Sequence, residues 1–111
     1  MRIEEQKDGQ VTVVGLTGRL DAATSAEVEK RLLKLIGAGE RRLLLDLTGL
    51  EYVASVGLRV LIVATKRLQS VDGRIVLCGL SQPVMEVFDI AGFTNILGIV
   101  ASREDAMKEL A

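Results

Sequence analysis

At 111 residues, 49% hydrophobic and 26% charged, the chain has the proportions of a folded globular protein with one core and no room for a separate catalytic lobe. It has no histidine, no tryptophan and one cysteine, which excludes a Ser-His-Asp triad, a histidine phosphocarrier, an H-E-x-x-H zinc site and an internal disulfide. Its 14 basic and 15 acidic residues nearly cancel, to a formal charge of -1, and 3% aromatic content leaves it poor in the cations and stacking rings that nucleic-acid binding needs.

Taken in chain order, Ile3 to Gln6 and Val11 to Leu16 read as two strands joined through Asp8-Gly9, a hairpin turn signal. From Thr24 to Ala38 the residues Val28, Leu32, Leu35 and Ile36 share one helical face. Thr24 or Asp21 is placed to cap its start, and Gly37 and Gly39 to end it. Leu43-Leu44-Leu45 is a continuous apolar run, expected of a central strand covered on both faces and closed by Asp46. Leu50 to Ala54 reads as a loop, with Ser55 where an N-cap belongs, before a helix running to Ser70 on a face of Leu58, Leu61, Ile62, Thr65 and Leu68. Asp72-Gly73 turns the chain into the strand Ile75 to Cys78. Ser81 and Pro83 then start a helix with Val84, Val87, Phe88 and Ala91 on one side, ended by Gly92. A short strand over Ile96 to Val100 and a helix capped by Ser102, with Asp105 at N3, complete the chain. The order ββαβαβαβα predicts an α/β domain spanning residues 1–111. Its expected sheet is mixed but mostly parallel, with about five strands and about four helices.

Several features invite chemistry and resolve to structure. Gly37-Ala38-Gly39 leaves a helix and enters a strand, the reverse of a phosphate loop, and reads as a helix stop. Asp46 closes a central strand, where α/β folds place ligands and receiver domains a phosphoacceptor. No acidic cluster follows the first strand, so bonding to nearby loop amides is the favoured role. Cys78 sits in an apolar run and reads as core. Ser55 stands apart. A serine opening a helix is ordinarily a cap, but this one follows an apolar Tyr52-Val53, heads a helix whose free amides and dipole favour a phosphate, and precedes Arg59 by one turn. The polar N-terminus is no signal peptide, and no apolar run reaches the ~20 residues of a membrane span. The expectation is a soluble cytoplasmic protein with Cys78 reduced and with no membrane, nucleic-acid, metal or cofactor partner.

Four segments together resemble the anti-sigma factor antagonist family, the small standalone members of the STAS fold. Gly18-Arg19-Leu20-Asp21 is similar to its G-x-L-D, Leu43 to Leu47 to its central strand, and Ser55-Val56-Gly57-Leu58 to its serine-x-glycine-leucine turn. Leu77 through Phe88, with Gly92-Phe93, resembles its last strand-to-helix segment. The resemblance implies a non-enzymatic bacterial transcription regulator that works by partner switching. Unphosphorylated, such a protein binds an anti-sigma factor serine kinase and frees the sigma factor. Phosphorylation on the serine, Ser55 by motif position, ends the binding, and a metal-dependent serine phosphatase reverses it. Asp21 is by position the acidic residue beside that serine, and the expected contact surface comprises Asp21, Tyr52, Val53, Ala54, Val56, Gly57, Leu58 and Arg59. Two positions depart from the family pattern: Ala54 stands where aspartate is frequent and Val56 where serine or alanine is. Two other readings fit the sequence: a STAS scaffold or transporter-associated subunit that is never phosphorylated, and a receiver-like or nucleotide-binding domain acting through Asp46.

Overall fold

The structure, a computed structural model, describes residues 1–94 and 97–111. Its elements run β1 (Arg2–Asp8), β2 (Val11–Leu20), α1 (Ser25–Gly37), β3 (Arg42–Asp46), β4 (Leu50–Val53), α2 (Ser55–Gln69), β5 (Arg74–Cys78), α3 (Gln82–Ile90), β6 (Gly98–Val100) and α4 (Arg103–Leu110). The sheet order is β1-β2-β3-β5-β6, with β4 paired to β2 off this path. Among the described residues only β1–β2 is antiparallel, through a turn in which Gly9 takes a φ of 61°. The β2–β3, β2–β4, β3–β5 and β5–β6 pairs are parallel. This is the mixed, mostly parallel α/β sheet expected, with one strand more.

The additional strand is β4, over part of the segment read as a loop. β2 is long enough to serve two neighbours in succession, pairing with β3 along Thr12–Gly15 and with β4 along Gly18–Leu20. Between them the chain turns at Asp46–Gly49, where Leu50 N–H donates to Leu47 O (3.0 Å) and Gly18 N–H to Gly49 O (3.0 Å). Ile96, where the last strand was expected to begin, lies outside the described residues.

Alternation along the central strands divides the interior in two. Val14 and Leu16 of β2, Leu43 and Leu45 of β3, and Ile75 and Leu77 of β5 point to the main core. There they meet Val28, Leu32 and Ile36 of α1, Leu58, Leu61 and Leu68 of α2, and Val84 and Phe88 of α3. Val11, Val13, Leu44, Val76 and Cys78 point to the opposite face and meet Ala106 and Leu110 of α4. The apolar runs of β3 and β5 are thus covered on both faces, as buried parallel strands require. Cys78 is core, and burial, aided by the Asp46 carboxylate and opposed by Arg103, pushes its thiol up to about 11. The caps of the last two helices follow expectation. Ser81 Oγ accepts from Val84 N–H (3.4 Å) and Ser102 Oγ from Asp105 N–H (3.1 Å).

Candidate functional site

The carboxyl end of β2, the end of β4 and the first turn of α2 meet at one corner of the sheet. Arg19 lies opposite Tyr52 and Leu20 opposite Val53, and Ala54 N–H donates to Leu20 O (2.9 Å). Asp21 follows Leu20 directly, and Ser55 follows Ala54 as the first residue of α2. Gly57 seats the helix: a Cβ there would stand 2.6 Å from Leu20 Cγ and 3.0 Å from Leu20 O, so only glycine lets α2 come this close to β2.

Ser55 is exposed at N1, not at the N-cap. The cap is Ala54, extended at φ -93° and ψ 168°, with no side chain able to take a helix amide. Helix geometry leaves the first amides without intrahelical acceptors. Those of Gly57 (2.9 Å) and Leu58 (3.1 Å) donate to Ala54 O, and those of Ser55 and Val56 meet no acceptor among the described residues. The start of α2 therefore has free donors at the positive end of the helix dipole and an exposed hydroxyl beside them.

Asp21 is half-buried in a turn of its own. Its Oδ1 accepts from Ala23 N–H (3.0 Å), its amide donates to Thr24 Oγ1 (3.0 Å), and its carbonyl accepts the Ser25 hydroxyl. Neither expected cap of α1 takes a helix amide: Thr24, the N-cap, turns its hydroxyl to Arg19 O (2.7 Å), because Asp21 already orders the turn. Arg19 links the corner together. Its guanidinium lies 4.2 Å from the Tyr52 ring centroid, and its Nε is 3.8 Å from Asp21 Oδ2.

Of the residues expected at the contact surface, Tyr52 (41% exposed), Val56 (40% exposed), Arg59 and Ser55 present side chains, and Ala54 and Asp21 are half-buried. Val53, Gly57 and Leu58 are buried: the β4 pairing and the close seat of α2 give them to the core, where they hold the surface in place. From Ser55 a groove of about 380 Å³ runs between α2 and the end of α3, lined by Ser55, Leu58, Arg59, Ile62, Lys66, Ala91 and Phe93. Ser55, Arg59, Ile62 and Lys66 recur every three or four residues, so Lys66 was legible as a continuation of the stripe. Ala91 and Phe93 come from another element and were not, and Arg19 joins Tyr52 only through the β2–β4 register.

Asp46 is committed to structure. Its Oδ1 accepts from the Thr48 amide (3.0 Å) and hydroxyl (2.6 Å), and its Oδ2 from Arg103 of α4 (2.9 Å). Burial works against its ionisation, but these donors and the Arg103 charge outweigh it and hold the carboxyl below its ordinary value.

Comparison with known proteins gives a consistent set of likenesses. The family model described as the STAS domain matches residues 2–106. A protein of Bordetella bronchiseptica provisionally named as an anti-sigma factor antagonist, BtrV, is 39% identical over 106 residues, 96% of this chain and 91% of that one. Among solved structures, a Thermotoga maritima protein provisionally assigned as an anti-sigma factor antagonist superposes with a TM-score of 0.92 at 19% identity, over 97% of this chain and 93% of that one. The Bacillus cell fate determinant SpoIIAA in its phosphorylated form superposes with a TM-score of 0.75 at 20% identity, over 99% of this chain and 100% of that one. At these identities the two structures are likenesses of fold.

Proposed function

Because the chain belongs to the STAS domain family, and within it to the anti-sigma factor antagonists, we propose that it binds an anti-sigma factor serine kinase while unphosphorylated and releases it once Ser55 is phosphorylated. The observation that carries this reading is the placement of Ser55: an exposed hydroxyl on the first turn of a helix, beside two unpartnered amides, with Arg59 one turn further on. The chain catalyses nothing on this reading. The kinase transfers the γ-phosphoryl group of ATP to Ser55 Oγ, the hydroxyl proton leaves and ADP departs. A metal-dependent serine phosphatase later removes the group by hydrolysis. Residues 1–111 act as one unit, in the cytoplasm where the kinase and sigma factor operate.

The switch follows from charge. A phosphoserine adds roughly 1.5–2 negative charges at neutral pH to a surface whose contacts otherwise include Tyr52 and Val56. Desolvating that charge against a partner is costly, while within the free antagonist the Ser55 and Val56 amides and Arg59 are placed to stabilise it. The exchange favours release. Asp21 opposes accumulation of negative charge at the corner, an effect moderated by Arg19 at 3.8 Å.

The test is intact-mass measurement after incubation with ATP and the candidate kinase. Wild type gains one phosphoryl group and Ser55→Ala gains none. Phosphorylated Arg59→Ala, carried through the phosphatase reaction alongside, loses its phosphate at a different rate from wild type. Equal phosphorylation of wild type and Ser55→Ala would move the site elsewhere. A protein that binds the kinase in pull-down but is never phosphorylated would favour the scaffold reading, for which the departures at Ala54 and Val56 speak.

A further inference from the structure

The opposite end of the molecule carries a second concave site. At the amino-terminal ends of β3 and β5, beside the β1–β2 turn, lies a cleft of about 570 Å³ lined by four cationic side chains, Lys7, Arg41, Arg42 and Arg74, against two carboxylates, Glu40 and Asp72. This concentration is unexpected in a chain whose formal charge is -1. Glu40 is already neutralised, since it accepts from Lys7 and from the buried Thr12 hydroxyl (2.6 Å), and these bonds hold its carboxyl below the ordinary range. Arg74 pairs with Glu109 at 2.8 Å. Among the described residues neither Arg41 nor Arg42 meets a carboxylate: Arg41 donates to the Ile36 and Glu40 carbonyls, and Arg42 to Gln10 Oε1.

The sheet also sets two of these cations side by side. Arg42 and Arg74 are register partners on neighbouring parallel strands, and Arg74 N–H donates to Arg41 O (2.8 Å). Neighbouring strands lie only about 4.8 Å apart, so the two side chains leave the sheet as neighbours, with Glu109 compensating Arg74 and no carboxylate among the described residues compensating Arg42. An anion in the cleft would supply that missing negative charge. Guanidinium forks suit phosphate oxygens in particular.

We propose that this cleft binds a compact polyanion, a small ligand with two or more linked phosphate groups, held by Arg41, Arg42 and Arg74. The site is separate from the switch. Ser55 lies at the carboxyl end of β2 and the cleft at its start, ten residues of strand away, or roughly 30 Å. Its test is therefore independent of phosphorylation.

Tripolyphosphate is titrated into the full chain by isothermal calorimetry, with citrate and sulfate in parallel. Saturable binding of tripolyphosphate, about tenfold or more weaker in Arg42→Gln and unchanged in the exposed α1 variant Lys30→Gln, is the expected result. Asp72→Asn binds several-fold more tightly, because it removes the one unneutralised carboxylate. Its φ of 61° is one that asparagine tolerates, and a damaged fold would not raise affinity. Absence of saturable binding up to about 10 mM, or equal weakening by Lys30→Gln and Arg42→Gln, would overturn the proposal. Citrate bound as tightly as tripolyphosphate would also overturn it, as a site for polycarboxylates.

Discussion

Gly57 shows how one residue sets the geometry of the corner. Its missing side chain lets α2 start against the last residue of β2, and a Cβ would meet both the Leu20 side chain and its carbonyl oxygen. The backbone contact is the harder of the two to relieve. Gly57→Ala is expected to lower the unfolding free energy by about 1–3 kcal/mol in urea titration and to slow Ser55 phosphorylation, because α2 must shift outward. An unchanged midpoint would show that the helix yields without cost. Ser55 itself was legible as a helix-opening serine, and the resemblance singled it out. Its place at N1 was not legible, because Ala54 is a poor capping residue and only its extended backbone, with its carbonyl accepting from the Gly57 and Leu58 amides, reveals that it occupies the cap.

Among elements, β4 and α4 carry the lessons. The pattern of Leu50–Val53, with its two ends buried and its two middle residues exposed, lacks the alternation by which a strand is recognised. It becomes a strand because β2 continues past the end of β3 and offers unpaired backbone groups. α4 was read correctly from its Ser102 cap, but its docking through Arg103 onto Asp46, 57 residues away in sequence, is a tertiary fact. That contact makes stability depend on pH. Asp46 and Glu40 both titrate below their ordinary values in the folded chain, so their contributions are complete above the unfolded carboxylate values of about 4 and are lost as pH falls through the lower folded ones. Unfolding free energy measured by urea from pH 7 to pH 3 should therefore decline below about pH 4. Asp46→Asn should flatten part of that decline, and parallel curves for the two proteins would contradict the assignment.

The whole molecule is a sheet with unequal covers. Among the described residues three helices close the main face, and α4 alone closes the other over Val11, Val13, Leu44, Val76 and Cys78. A thiol buried there and pushed up to about 11 is a probe of that cover. At pH 8 iodoacetamide should modify native Cys78 far more slowly than the urea-unfolded chain, and Leu110→Ala, which loosens the α4 contact, should speed the native reaction. Equal native rates for wild type and Leu110→Ala would mean that the cover opens by another route. Among the described residues no helix is long and apolar enough to cross a membrane. The sequence by itself determined the class of the fold, because strand and helix periods, caps and turn residues are local, and the family, because four spaced segments match it in order. Only the tertiary structure decided what surrounds Ser55 and which cations gather at the far end. Those neighbours come from strand registers that join residues tens of positions apart, Arg19 with Tyr52 and Arg42 with Arg74. A pairing of that kind depends on where separate strands stop and start against one another, which no local pattern encodes.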